Sequence, residues 1–399
     1  MKALKYNLSG WLYLAFFIAL YFENWKMPIF SSFLLTSKLQ LLFILVTLLV
    51  CLGKKKSLIN KKTDHIGILS AFFIYFFLIN FLSALIFGGE AVNMALLSNF
   101  LTLLCLLKVF SSQRSLIHTT AIVNIVMMDV ICLFAINGIG IDINTEFTLG
   151  EDRLRIFGLN PNGLSLYAAL SAASCIYLFF KTTSKINKLL LLASIMCCAE
   201  LIIMCGSKGG LVYLFICMVV MLGDRVRQSR KAKILFLPLA ILFIYFLFSY
   251  ILSSEVFVSR FAEEDISDGR FALFSRGIKV FNESPIFGVG MAGYDYYMNF
   301  YFGQVRPTHN GYLDVAAYTG LIGLTFLSLY ILKQGKEIIM VRKFNKGNVL
   351  LVLFLLFILN FAKDGGVVFS KFTWIHVTIM VSYVQYLKKI ISSKDVLNL

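Results

Sequence analysis

IGILSAFFIYFFLINFLSALIF, residues 66–87, runs from end to end without one charged side chain. A helix crossing the bilayer needs about 20 predominantly apolar residues. A helix on a soluble core is apolar on one stripe only, and a barrel strand alternates apolar with polar residues. This run is apolar on every face, so it reads as a membrane-spanning helix. Runs of the same kind recur along the chain. The set is 9–22, 30–52, 66–87, 93–110, 115–137, 161–180, 188–205, 209–223, 233–252, 309–332, 348–362 and 366–387. Over the 399 residues 59% of side chains are hydrophobic and 15% are charged. Soluble domains carry about 25% charged residues, and the mean hydropathy here is +0.82. A soluble globular protein, a disordered chain and a disulfide scaffold are excluded. The expected fold is an all-α polytopic membrane protein with about 12 transmembrane helices, forming one integral membrane domain over residues 1–399.

Immediately before residue 66 stand Lys54, Lys55, Lys56, Lys61 and Lys62, and after residue 87 there is no such cluster. The contrast repeats in alternate connections. The termini and every second loop hold 25 of the 37 Lys and Arg residues. Basic loops stay in the cytoplasm, so both termini are expected there and the number of spans is even. The formal charge of +16 is then a topology signal, and no nucleic-acid partner is expected. The first residues, with Lys2 and Lys5 ahead of an apolar run, resemble a signal peptide without a small-x-small cleavage site and are expected to persist as a first helix. The eight cysteines form no CxxC pair and lie in or beside apolar runs, as small hydrophobes do.

On the opposite face two connections are long, 138–160 and 253–308. Long loops on a compact scaffold usually carry function. In the second, Phe271, Phe274, Ile278 and Phe281 recur at helical spacing, with Arg270, Arg276 and Lys279 between them. Ser267-Asp268-Gly269-Arg270 reads as the helix start and Ser284-Pro285 as its stop. An amphipathic helix on the outer membrane surface is expected from this pattern.

The chain has no phosphate loop, HExxH, GxSxG or carboxylate cluster of metal-ligand type. His65 and His118 fall near the basic face, and His376 falls inside the last span. Asp129 and Glu200 sit within spans, where an ionisable group is costly and marks either a function or an interhelical hydrogen bond. The opposite face gathers cations from separate stretches. Arg153 and Arg155 precede Asn160-Pro161-Asn162, Lys208 lies in Gly206-Ser207-Lys208-Gly209-Gly210, Arg260, Arg270 and Arg276 lie in the large loop, and Arg306 ends it. Glu151, Asp152, Glu255, Glu263, Glu264 and Asp265 lie near several of these as alternative ion partners. Guanidinium and ammonium groups at that interface suit a lipid-linked phosphate. Arg155, Lys208, Arg270, Arg276 and Arg306 are the diphosphate candidates, with Asn160 and Asn162 beside them. His309 is the one histidine on this face and stands at the head of a spanning helix. Imidazole can take a proton from a hydroxyl near neutral pH, which makes His309 the catalytic candidate. Asn310 and Tyr312 are candidates for orienting it or a sugar.

His309-Asn310-Gly311-Tyr312-Leu313 followed by Gly320-Leu321-Ile322-Gly323 resembles the His-Asn-x-Tyr-Leu…Gly-x-x-Gly signature of the O-antigen ligase and O-antigen polymerase superfamily. Gly269-Arg270 with Pro285-Ile286-Phe287-Gly288-Val289-Gly290 is similar to its Gly-Arg…Pro-Leu-x-Gly-x-Gly stretch. Asn160-Pro161-Asn162 and Ser207-Lys208-Gly209 stand where its two earlier landmarks do. The family often has Arg at the position of Lys208 and Trp near that of Phe274. The resemblance implies a GT-C-like, metal-independent, inverting glycosyltransferase with no cofactor. It also implies an undecaprenyl-diphosphate-linked oligosaccharide as donor, used at the outer face of the bacterial cytoplasmic membrane. On that reading the diphosphate is held by the cations, His309 is the base, and a chain-length regulator is a potential partner. A polymerase would pass the glycan to another lipid-linked repeat unit, and a ligase would pass it to lipid A–core. A lipid-linked oligosaccharide flippase is the alternative from another class. Transport favours ionisable groups at the midplane and matching broken helices, whereas the charges here collect at one face.

Overall fold

The computed structural model describes residues 6–23, 32–53, 64–90, 93–141, 154–228, 245, 249, 265–342 and 348–397. The described residues are helical throughout apart from connections and two isolated bridges at Ile156. In chain order the helices are α1 (Leu8–Leu20), α2 (Ser32–Gly53), α3 (Asp64–Phe87), α4 (Met94–Ser112), α5 (Ser115–Ile136), α6 (Pro161–Phe179) and α7 (Lys185–Met204). They continue with α8 (Lys208–Gln228), α9 (Asp265–Phe281), α10 (Gly290–Phe302), α11 (Gly311–Val341), α12 (Val349–Lys363) and α13 (Lys371–Leu397).

Eleven of the twelve apolar runs are helices at or near the expected bounds. The run 233–252 lies outside the described residues except for Tyr245 and Ser249. Among the described residues seven helices, α2 to α7 and α11, are long and apolar enough to cross a membrane. Three more apolar segments, in α1, α8 and α12, are shorter. The protein is therefore a polytopic helical membrane protein. Three boundaries differ from expectation. α9 begins at Asp265 rather than after Ser267. α11 continues past residue 332 to Val341. α13 starts at Lys371 rather than 366, because Gly366 takes a left-handed φ of 71° and a short 3-10 turn, Val367–Phe369, intervenes.

The chain forms two compact units. The first comprises Met1–Phe43, Gln113–Glu263 and Arg342–Leu355. Its centre is α6, whose Ala168, Ala169, Ala172, Ala173, Ser165 and Ser171 are buried. Small side chains let helices approach closely where apolar area gives no drive within lipid. At Gly210 on α8 a Cβ would lie 2.6 Å from that of Ser165. Polar bonds add to this packing: Tyr13 and Thr120 hydroxyls are 3.0 Å apart, linking α1 to α5, and Ser194 on α7 donates to Asp129 Oδ2 on α5 at 2.7 Å. Asp129 thus has an interhelical hydrogen bond.

The second unit comprises Ile44–Ser112, Glu264–Val341 and Leu356–Leu399. Its core is aromatic, with Phe72, Phe73, Phe76, Tyr294, Tyr318, Phe361 and Trp374 buried together. Phe73 meets Trp374 edge-on at 4.9 Å, and the Trp374 indole donates to Val368 O at 2.6 Å. Asn80 and Ser83 of α3 fix the start of α10. Asn80 Oδ1 accepts from Met291 N–H at 2.8 Å, while the Ser83 hydroxyl donates to Val289 O and accepts from Gly293 N–H. Towards the far end of α11, Glu337 pairs with Lys388 at 2.7 Å.

Candidate functional site

The expected site residues fall into two groups, one in each unit. In the first unit the stretch 154–160 is laid on the end of α7, where Leu154 N–H donates to Met204 O at 2.9 Å. Phe157 N–H donates to Gly140 O at 2.9 Å, and Phe157 and Gly158 take left-handed φ values of 54° and 71°. That turn presents Arg155, half-buried, just before α6. Asn160 caps α6 by accepting from Asn162 N–H at 2.9 Å, with Pro161 at the first helical position, a favourable start for a helix. Asn162 Oδ1 accepts from the Ser207 hydroxyl at 3.3 Å. Ser207 lies 2.9 Å from the Ser165 hydroxyl and accepts from Gly210 N–H at 3.2 Å. The Asn-Pro-Asn and Ser-Lys-Gly landmarks are therefore one hydrogen-bonded joint between the starts of α6 and α8. Lys208 stands exposed at its edge.

In the second unit the site is built around the turn 307–310. His309 is exposed and takes φ 56°, a conformation that costs a non-glycine residue roughly 1 kcal/mol or more. Asn310 follows as the cap of α11: its Oδ1 accepts from Tyr312 N–H at 3.0 Å and Leu313 N–H at 3.2 Å. Tyr312 turns inward, donating its hydroxyl to Ile358 O at 3.1 Å and packing on Phe361. Its position makes it a brace between α11 and α12. Gly277 of α9 sits against the same turn, where a Cβ would lie 2.3 Å from Thr308 Cγ2. Arg276 is next to this close approach and lies over the Phe302 ring at 5.0 Å, a cation–π contact between α9 and α10. Lys279 lies over Tyr301 at 3.9 Å. Arg306 is exposed, and its carbonyl accepts from the Tyr294 hydroxyl at 2.8 Å. Burial, with the Asp314 carboxylate as a smaller cause, pushes the Tyr294 phenol up, so it remains a donor at neutral pH. Burial likewise raises the Asp295 carboxyl. The second group thus joins Arg276, Arg306, His309, Asn310 and Tyr312 on one frame. Arg270 lies on α9, with its side chain outside the described residues, as are Arg153 and Arg260.

Several residues that build this frame are not evident from spacing. Thr308 and Asp314 are 0% and 1% exposed. Asp314 Oδ1 accepts from Thr308 N–H at 3.0 Å and from its hydroxyl at 2.7 Å, and Oδ2 accepts from Gly366 N–H at 3.1 Å. An acidic residue in the first turn of a helix suits the positive end of its dipole, and that is the signal pointing to Asp314. Gly365 packs on His309 N, which a Cβ there would approach to 3.0 Å. The glycine-rich stretches are paired as well: Val289 N–H donates to Ala317 O, and Leu321 and Ile322 N–H donate to Pro285 O and Ile286 O. These bonds satisfy the backbone of α11 where it breaks at Gly320, φ 62° and ψ −166°.

No curated protein matches the chain. The family model described as O-Antigen ligase matches residues 191–328, a stretch that takes in Lys208, the large loop, α9, α10 and the turn bearing His309. Residues 191–328 are therefore similar to the O-antigen ligase family, and the similarity covers the part of the chain that carries His309.

Proposed function

We propose that this protein is an inverting glycosyltransferase that polymerises lipid-linked oligosaccharide repeat units of a bacterial surface polysaccharide. In this reading it acts at the outer face of the cytoplasmic membrane, with both termini in the cytoplasm and a GT-C-like arrangement of spans. The donor is a glycan on undecaprenyl diphosphate. The observation that carries the reading is His309, exposed at the head of α11 on a strained turn, with Arg276 on the helix packed against that turn.

In the reaction the acceptor hydroxyl oxygen attacks the anomeric carbon of the donor. His309 takes the hydroxyl proton, a contribution of typically 100- to 10,000-fold. The bond from the anomeric carbon to the diphosphate oxygen breaks, and its electron pair leaves with the diphosphate. Arg270, Arg276 and Arg306, in the same unit as His309, are assigned to that growing negative charge, and Arg155 and Lys208, in the other unit, are separate anion-binding candidates. Preorganised donors of this kind are worth about 3–4 kcal/mol each. A single displacement inverts the anomeric centre. Asn160 and Asn162 shape the turn beside Arg155, and Asn310 and Tyr312 hold the turn of His309.

Deleting the gene and resolving surface glycan by chain length tests the assignment. A lost polymerase leaves single repeat units on carrier or core. Long chains left on the lipid carrier would instead assign a ligase. Single units stranded on the cytoplasmic leaflet would assign a flippase and overturn the enzyme reading.

A further inference from the structure

Asp314 has no part in the proposed transfer, yet both its carboxylate oxygens are engaged beside His309. An ionised carboxylate in the interior is costly unless hydrogen bonds compensate it. Capping does not require it, because Asn310 Oδ1 already accepts from the first free N–H groups of α11. Its partners show what it does. Oδ1 takes both the N–H and the hydroxyl of Thr308, the residue before His309. Oδ2 takes the N–H of Gly366, and neighbouring Gly365 lies against Pro307 and His309 N. The Thr308 hydroxyl in turn accepts from Asn310 N–H at 3.1 Å. One side chain therefore closes two separate chain segments around the backbone of His309. A left-handed non-glycine residue persists only where its surroundings determine it, and this clamp supplies that determination.

We infer that Asp314 is a positioning residue: through Thr308 and Gly366 it locks the turn that presents the His309 imidazole to the acceptor hydroxyl. The inference rests on the reading of His309 as the base.

The test uses full-length protein in lipid nanodiscs with undecaprenyl-diphosphate-linked repeat units, three variants of the clamp, and His309→Ala for comparison. Thr308→Val removes the hydroxyl and keeps the γ-methyl that meets Gly277, Thr308→Ser keeps the hydroxyl, and Asp314→Asn leaves one acceptor oxygen where two are used. Thr308→Val is expected to lower kcat about 100-fold, as misplacement of a reacting group by about 1 Å does. The donor KM is expected to stay within about twofold, since binding is not what the clamp supplies. Thr308→Ser is expected to restore most of the rate. Hydrogen exchange, which needs no substrate, is expected to rise together over 306–312 and 364–368 in Thr308→Val and Asp314→Asn, with 290–302 unchanged. Wild-type kcat in Thr308→Val, or exchange that rises in one segment alone, would overturn the inference while an inactive His309→Ala still upholds the base. A fully active His309→Ala would overturn the base reading and the positioning role with it, whatever the exchange pattern.

Discussion

Gly288 and Gly320 meet backbone to backbone: a Cβ on either would come within 2.5 Å of the other's nitrogen. Both hold left-handed φ values, 83° and 62°. The break in α11 at Gly320 frees two donors and an acceptor, and the 285–289 stretch bonds to all three. Two glycine motifs more than thirty residues apart are thus one joint. The joint fixes the start of α10 to α11, the helix whose head carries His309.

Gly288→Ala and Gly320→Ala are each expected to destabilise the protein by more than about 2 kcal/mol, combining φ strain with a clash against main chain. Gly303→Ala is the comparison. Its φ is 66° but nothing lies within 4 Å of the added carbon, so it is expected to cost only about 1 kcal/mol. Thermal unfolding in detergent checks the order, and equal losses at all three sites would contradict the joint.

At Gly277 the neighbour is a side chain held in place on every polar atom. A methyl added there must displace Thr308 or move α9. Gly277→Ala is expected to lower turnover by on the order of tenfold or more through the His309 turn. Unchanged turnover would mean that α9 can shift without disturbing that turn.

Asn310 makes its bonds as a cap, so the oxygen matters to the fold. Asn310→Ala is expected to cost about 1 kcal/mol, and Asn310→Asp, which keeps an acceptor, a small fraction of that. Unfolding measurements that found the two variants equally destabilised would contradict the capping role.

Lys208 stands exposed beside the Ser207 joint, and in the proposed function its charge serves the lipid-linked donor. Lys208→Ala is expected to lower kcat/KM for the lipid-linked donor about tenfold or more, and Lys208→Arg to retain the wild-type value or exceed it through its two-pronged fit to phosphate. Steady-state kinetics with the purified protein decides this, and an alanine variant with unaltered kcat/KM would remove Lys208 from the anion site.

The spanning helices are legible in the sequence because a bilayer leaves no other structure for continuous apolar runs. The loop helix is legible too, since Phe271, Ile278 and their cations keep a 3.6-residue period. α10 is not: Gly290-Met-Ala-Gly-Tyr-Asp-Tyr-Tyr has two glycines and no clean apolar stripe, and it forms because Asn80 and Ser83 of α3 hold its first turn. Spacing placed Asn310 and Tyr312 near His309 but could not tell a capping oxygen or an inward hydroxyl from a group facing substrate. The role of Asp314 is not legible in the sequence, because a lone carboxylate at the head of an apolar run reads as part of the span. Its significance depends on Gly366, 52 residues later, and only the fold brings the two together.

In the proposed transfer the His309 imidazole removes the acceptor proton. It is tested most directly by incubating purified His309→Ala and His309→Gln with lipid-linked repeat units and measuring polymer formed per unit time alongside donor retained on the protein. Polymer formation at least 100-fold below wild type is expected in both variants, with donor retention unaltered. Polymer made at the wild-type rate by either variant would contradict it.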